Sequence, residues 1–269
     1  MDSVDLNDWQ AFEGSVRKLR LEYGNLLFRG ESDSNFRLTT TLERAGCERM
    51  AVKAYYRIAV AQIRPAVETF TGVKWDVPEY SLQLETSFQD RELFSLRRFP
   101  TPEFYRYMVY LRHHGFPSPL LDWSGSPYVA AFFAFRDPNQ TAEKRSIYAY
   151  CERPTGFKGG AVGEPSMRAI GPYIQSHPRH FRQQSDYTIC ASREANSEWR
   201  FHPHETVFGS RGKQDFLWKF NLPSRLRLEV LRTLNDYNLN AFSLFDSEET
   251  LLETLWFREL VLRRALSHG

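Results

Sequence analysis

The sequence predicts a single α+β domain spanning residues 1–269, in which a small, mainly antiparallel sheet packs against several helices. Short apolar or alternating runs, bounded by turn-forming residues, predict four strands near 26–29, 146–151, 186–191 and 215–220. Stretches with apolar residues at helical spacing separate these runs. The composition, 42% hydrophobic and 25% charged, is that of a globular protein able to build one core.

Helices are predicted at 5–20, 43–70, 89–98, 102–114, 223–234 and in a last long segment that begins near Asp246 or Ser247. Pro65 is expected to kink or end the second of these. Two segments, 152–180 and 192–214, lack periodicity and are predicted to be irregular excursions from the domain core.

Residues 111–135 hold the densest group of chemically informative side chains in the chain. The polar part is so rich in Gly, Pro and Ser that it is expected to be neither a helix nor a central strand. Ser126 as N-cap and Pro127 at the first helical position predict a buried helix that runs to Phe135. Such a loop is either a binding site, because free backbone N–H groups point out of it, or a well-packed structural turn.

Arg29 follows a short apolar strand, a place where arginine rarely lies buried without a partner. It either pairs with a carboxylate, such as Glu31, Asp33 or Asp122, or faces a cleft where it can hold an anion through a bidentate contact. Asp122 is equally suited to capping the turn.

Three ring-bearing side chains of the loop are open to more than one interpretation. Trp123 suits the core better than a ligand platform. His113 is interpreted as a solvated residue at a helix end. His114 is the better candidate for acid–base chemistry, because the pKa of imidazole lies near neutral pH.

Charge and cysteine content narrow the function classes. A net charge of +2 gives no electrostatic footprint for nucleic acid. Three widely spaced cysteines offer no metal-ligand spacing, so no metal is expected. Their odd number, with an acidic N-terminus that lacks an apolar signal core, predicts a reducing cytoplasm. No apolar run of about 18 residues predicts a membrane span.

Four motifs, in order along roughly residues 20–260, resemble the FRG domain family. They are Phe28-Arg29-Gly30, the loop from His114-Gly115 through Leu121-Asp122-Trp123-Ser124 to Ser126-Pro127, Gln183-Gln184-Ser185, and Phe242 to Asp246. The family usually has Gly where Ser185 stands and a Pro that is missing before Asp246. The resemblance implies a bacterial or phage-associated protein but gives no reaction.

The same order is more distantly similar to arginine-type ADP-ribosyltransferases, which implies an ADP-ribosyltransferase-like architecture and NAD as a substrate. The implied NAD-binding residues are Arg29, Gly30, His114, Asp122, Trp123, Ser124 and Tyr128. The implied catalytic residues are Arg29, His114, Ser126 and Gln184. The catalytic Glu of those enzymes has no clear counterpart, so Gln184, Asp186 or Glu205 would take its place, or activity is lost.

The resemblance therefore implies a toxin or phage-defence effector of the bacterial cytoplasm that uses NAD to modify a macromolecular acceptor, with an antitoxin or partner protein. The alternative is a non-catalytic recognition module that binds a protein or a nucleotide through the same cleft.

Overall fold

The computed structural model describes residues 2–79, 99–138, 141–156, 163–195, 198–208 and 215–264. Within them, eight strands form one sheet in the order β1-β8-β4-β2-β3-β6-β5, with β7 paired to β6. The strands are β1 Asp2–Asp5, β2 Leu27–Glu31, β3 Leu121–Ser124, β4 Lys144–Glu152, β5 Ser166–Ala169, β6 Ser185–Arg193, β7 Trp199–Phe201 and β8 Asp215–Pro223. Every pair is antiparallel except β1 with β8. The predicted α+β class is confirmed.

The expectation that the polar loop contains no central strand was wrong. β3 lies between β2 and β6 in the middle of the sheet. The turn-forming residues flank the segment Leu121–Ser124 rather than fill it. Leu121 and Trp123 bury their side chains on one face of the sheet, as the two-residue period of a strand requires.

The two predicted excursions also contain short strands that the sequence pattern did not indicate. β5 lies within 152–180, and β7 lies within 192–214. Both pair with β6, β5 over four residues and β7 over three. Strands this short carry too few alternations to be visible in the sequence, and they exist because a longer neighbour supplies hydrogen-bond partners.

The helices are α1 Trp9–Tyr23, α2 Thr41–Arg44, α3 Val52–Arg57, α4 Arg64–Thr71, α5 Pro102–His113, α6 Pro127–Phe135, α7 Arg179–Arg182, α8 Arg227–Asp236, α9 Ala241–Phe245 and α10 Glu248–Trp256. π-Helical turns follow α3 at Ile58–Ile63 and α10 at Phe257–Leu262, and 3-10 turns lie at His204–Phe208 and Ser224–Leu226. The predicted helix at 89–98 lies outside the described residues.

The predicted helix over 43–70 is interrupted, because residues 45–51 separate α2 from α3, whereas α3, the π-helical turn and α4 follow one another without a break. Pro65 lies in the first turn of α4, directly after the π-helical turn, and helical structure continues past it to Thr71. The predicted caps of the helices that begin at Pro127 and Glu248 were accurate, whereas the helices predicted from 5 and 223 begin four residues later. Asp8, Ser126 and Ser247 are the N-caps of α1, α6 and α10.

The helices cover both faces of the sheet. On one face, α1, α6 and α8 pack against β2, β4 and β8. On the other, α3 and α5 pack against β6. β2 and α6 approach so closely that a Cβ atom on Gly30 would lie 1.9 Å from the Ala130 carbonyl oxygen. Glycine at position 30 is therefore required by packing.

No helix in the described part of the chain has the length and hydrophobicity needed to cross a membrane. Among the same residues, no three potential metal-ligating side chains come together. The three cysteines are free thiols.

Candidate functional site

A cleft opens in the middle of the sheet, where β2 and β3 diverge. Within the described strands, β2 and β3 are paired at one position, Phe28 opposite Ser124. Beyond it, Arg29 spans the gap, and its Nη1 donates to the Asp122 carbonyl oxygen at 2.9 Å. The resulting cavity has a volume of about 480 Å³, within the range of small-ligand sites. We call it the arginine cleft.

The arginine cleft collects side chains from distant parts of the chain. Its charged and titratable members are Arg29, Glu31, Arg44, Arg112, His113, Asp122, Arg179 and Tyr187. Four arginines thus face two carboxylates. The site therefore carries an excess of positive charge, which suits an anionic ligand.

Arg29 both pairs with a carboxylate and lines the cleft, so the two interpretations drawn from the sequence are not exclusive. Its Nε donates to Glu31 at 2.7 Å, and both side chains are largely buried, at 14% and 13% exposure. The Arg29 Nη1 atom also lies 4.0 Å from the Asp122 carboxylate. The guanidinium lines the cleft while these partners fix its position.

Asp122 faces the cleft with 42% of its side chain exposed. Arg112, at the end of α5, makes a bidentate ion pair with its carboxylate. Arg112 Nη1 also donates to Thr41 Oγ1 at 2.9 Å. Burial alone would raise the pKa of Asp122, but the charge and hydrogen bonds of Arg112 outweigh it and hold that pKa below its ordinary value. Asp122 is therefore a carboxylate at neutral pH.

His113 is not the solvated helix-end residue that the sequence suggested. It is half-buried, and its Nε2 lies 3.0 Å from the Tyr187 hydroxyl. Burial, with the nearby charge of Arg179, lowers the pKa of His113 to about 4. The imidazole is thus neutral at physiological pH, and the interior position raises the pKa of Tyr187. Both groups are therefore uncharged at physiological pH and are hydrogen-bonded to each other beside the cleft.

Arg44 and Arg179 supply the less constrained positive charge. Arg44 is exposed at the end of α2, and no ion pair holds its guanidinium within the described parts of the chain. Arg179 donates through Nη2 to the His113 carbonyl oxygen at 3.1 Å. Neither arginine is neutralised by a carboxylate partner there, so both can contact an anion.

The structure brings five of the predicted site residues to the cleft, namely Arg29, Gly30, Asp122, Trp123 and Ser124. The Trp123 indole is nevertheless 3% exposed, and its Nε1 donates to Thr188 Oγ1 at 2.8 Å. Ser124 Oγ donates to the Gln183 carbonyl oxygen at 2.7 Å and accepts from the Ser126 N–H. Trp123 therefore belongs to the core, and Ser124 fixes the loop.

The other four predicted residues do not line the cleft. His114 is exposed beyond α5 with its ring 4.3 Å from Tyr110. Ser126 caps α6 and accepts from the Val129 N–H. Gln184 is exposed in a left-handed conformation, and its carbonyl oxygen accepts from the Gly125 N–H.

Tyr128 lies on the other side of α6, where its hydroxyl donates to Glu13 at 3.3 Å. The roles of all four residues stay predictions, and their positions favour structural explanations. The two further substitutes for the catalytic Glu are also elsewhere. Asp186 accepts from the N–H groups of Gly171 and Tyr187, and Glu205 pairs with Arg37.

Sequence reasoning missed Arg44, Arg112, Arg179 and Tyr187 as site residues. Arg112 ends a helix whose apolar face was recognised, and its pairing with Asp122 requires β3, which was not predicted. Its place directly before His113 was the one local signal available.

Residues 24–143 match the family model of the FRG domain. This part of the chain is therefore similar to the FRG domain, as the motifs implied. It includes Arg29, Arg44, Arg112 and Asp122 of the cleft, whereas Arg179 and Tyr187 come from beyond it. Comparison with curated proteins gave no significant match, and neither did comparison with solved structures.

Proposed function

We propose that the arginine cleft binds the phosphates of NAD and that the protein transfers ADP-ribose from NAD to a macromolecular acceptor. The observation that carries the proposal is the set of four arginines around one cleft that holds two carboxylates. Guanidinium groups match phosphate oxygens in geometry and in charge. Arg44 and Arg179 are the principal phosphate contacts, since Arg29 and Arg112 already have carboxylate partners.

Asp122 is the carboxylate that the geometry supports for the chemical step. The bond between nicotinamide and ribose C1′ breaks, its electron pair leaves with nicotinamide, and an acceptor nucleophile bonds to C1′ and releases its proton. A carboxylate beside the ribose stabilises the positive charge that develops there, as in glycoside hydrolysis. Asp122 is ionised and faces the cleft, whereas Gln184, Asp186 and Glu205 do not line it.

The biological setting in this proposal rests on the resemblance. It is a toxin or phage-defence effector in the bacterial cytoplasm, controlled by an antitoxin or partner protein. The free thiols of Cys47, Cys151 and Cys190 support a reducing compartment.

Replacing Arg44 tests the ligand class. Arg44→Ala is expected to weaken NAD binding about tenfold, because a hydrogen bond to a charged group contributes about 1.5 kcal/mol. A thermal-shift titration with NAD measures this, since a ligand that binds the folded state raises the melting temperature. Arg57→Ala is the matched control, because Arg57 is also an exposed arginine in the last turn of a short helix but does not line the cleft.

Two outcomes would contradict the proposed ligand. One is a parent protein whose melting temperature NAD leaves unchanged. The other is an equal loss of NAD binding in the Arg44 and Arg57 variants.

Replacing Asp122 tests catalysis separately from binding. Asp122→Asn keeps the shape of the side chain but removes its charge, so release of nicotinamide is expected to fall at least about 100-fold. Binding of NAD should change far less. Nicotinamide is measured by chromatography after incubation with NAD and a bacterial lysate as the source of acceptor. Undiminished release would remove Asp122 from the chemical step.

A non-catalytic recognition module is the second candidate, and one observation favours it. Both cleft carboxylates are ion-paired, Glu31 with Arg29 and Asp122 with Arg112. Such pairing offsets the negative charge that bond cleavage needs. If this candidate is right, NAD or another phosphate-bearing nucleotide raises the melting temperature of the parent, and no nicotinamide appears with any acceptor.

A further inference from the structure

A second cavity adjoins the arginine cleft. Its volume is about 490 Å³. Ser32 and Phe133 line both cavities. The ring of Phe133 lies 5.8 Å from that of Phe245, which belongs to the arginine cleft. A ligand that leaves the arginine cleft past Phe133 therefore enters the second cavity. We call it the aromatic cavity.

The walls of the aromatic cavity are mostly apolar and rich in aromatic rings. α6 contributes Phe132 and Phe133, α8 contributes Leu231, α10 contributes Trp256, and the π-helical turn after α10 contributes Phe257. Trp256 and Phe133 are 42% and 37% exposed. Because aromatic rings associate in offset or edge-to-face arrangements, these surfaces suit a flat ring.

Four charged residues line the aromatic cavity, Arg136, Arg227, Asp137 and Glu253, and their formal charges cancel. Arg136 Nε donates to Glu253 at 2.8 Å, and the Arg136 guanidinium lies 4.7 Å from the centroid of the Phe245 ring. The ion pair leaves no net charge from these two residues. The aromatic cavity thus suits an uncharged planar group, whereas the neighbouring cleft suits an anion.

We propose that the aromatic cavity binds the aromatic base of the nucleotide whose phosphates contact the arginine cleft. This inference rests on the proposed function and adds a base subsite to it. A nucleotide carries its charged phosphates and its planar base on opposite sides of a ribose. The arginine cleft suits the phosphates, and the adjoining aromatic cavity suits the base.

The test measures affinities by isothermal titration calorimetry with NAD, ADP-ribose, nicotinamide mononucleotide and inorganic pyrophosphate. Trp256→Ala removes one ring from the cavity wall and is expected to weaken NAD binding about tenfold, as loss of base stacking does. Pyrophosphate binding should stay unchanged. Leu252→Ala is the matched control, because Leu252 is an exposed residue of the same helix that does not line the cavity.

A second variant fills the cavity instead of opening it. Leu239→Trp places a larger side chain in the lining and is expected to weaken NAD binding to a similar extent. It decides the question if Trp256→Ala does not fold. Loss confined to ADP-ribose assigns adenine to the cavity, loss confined to nicotinamide mononucleotide assigns nicotinamide, and either result supports the inference.

The inference and the proposed function fail in different ways. If both cavity variants bind NAD as tightly as the parent while Arg44→Ala does not, the base subsite is overturned and the proposed function stands. Equal weakening of NAD and pyrophosphate by Trp256→Ala would also overturn the subsite. If the unaltered protein binds neither NAD nor pyrophosphate, the proposed function is overturned, and the subsite with it.

Discussion

Asp122 and Asp186 lie on neighbouring strands, yet their surroundings shift their pKa values in opposite directions. For Asp122, Arg112 outweighs burial and keeps the carboxylate charged. For Asp186, burial outweighs the hydrogen bonds from Tyr187 and Gly171 and raises the pKa from 3.8 to about 6. Asp186 therefore holds a loop next to the cleft with an acid group that resists ionisation.

Asp186→Asn is expected to stabilise the protein at neutral pH by about 1–3 kcal/mol, since one pKa unit corresponds to about 1.4 kcal/mol. The folded state binds more protons than the unfolded state between pH 3.8 and about 6, so the parent loses stability as the pH rises through this window. Both N–H groups bond to one oxygen, Oδ1, which an amide retains.

Denaturant unfolding at pH 4, 5.5 and 7.5 measures the difference, which should vanish toward pH 4. Asp122→Asn is the control, because this substitution is expected to change the free energy of unfolding in the opposite direction. The lowered pKa of Asp122 contributes stability above its ordinary value of 3.8, and that stability is lost as the pH falls through the folded-state pKa. Lower stability of Asp186→Asn at pH 7.5 would contradict the assignment.

At the scale of elements, the contact between β2 and α6 places the Phe-Arg-Gly motif. Phe28 enters the core, Arg29 lines the cleft, and Gly30 touches the backbone of α6. An added Cβ at position 30 would also lie 2.7 Å from the Ala134 nitrogen. The strand and the helix would then have to separate, and Arg29 would move with the strand.

Gly30→Ala is accordingly expected to destabilise the fold by about 3 kcal/mol or more, as overpacking of a rigid contact does. Gly14→Ala is the matched control, because a Cβ on Gly14 meets no atom within 4 Å and the residue lies inside α1. It should stabilise by about 0.5–1 kcal/mol. Urea unfolding of the two variants compares them, and equal effects would refute the packing argument.

At the scale of the whole molecule, the FRG domain match ends at residue 143, one residue before β4 begins. β2 pairs with β4 over five residues but with β3 at a single pair. β3 in turn depends on β6 for four pairs. Among its described residues, the matched segment therefore contains two strands of the sheet, β2 and β3, without their principal partners.

A fragment of residues 24–143 is expected to lack a cooperative unfolding transition, because two barely paired strands do not form a stable sheet. Thermal unfolding followed by circular dichroism tests this against the full chain. A sharp transition in the fragment would show that the segment folds alone.

The local sequence predicted the elements whose stability is local. The N-caps Ser126 and Ser247 were recognisable because a side chain three residues before a free N–H satisfies it. The longer strands β2, β4, β6 and β8 were recognisable by their apolar runs. β1, β3, β5 and β7 were not, since partners distant in sequence determine them. The same distinction applies to the cleft. Arg29 was predicted from its local motif, whereas Arg112 was missed because its partner Asp122 lies in β3.

The bond from Arg29 to the Asp122 carbonyl oxygen makes Arg29 part of the sheet as well as of the cleft. This hydrogen bond from the guanidinium joins β2 to β3 beyond the point where their backbone pairing ends. An Arg29 variant would alter the architecture of the sheet together with its charge, so a binding defect in that variant would have two explanations. Arg44 lines the cleft but belongs to no strand, so a binding defect in an Arg44 variant reports the loss of charge alone. The better target is therefore Arg44, although the Phe-Arg-Gly motif draws attention to Arg29.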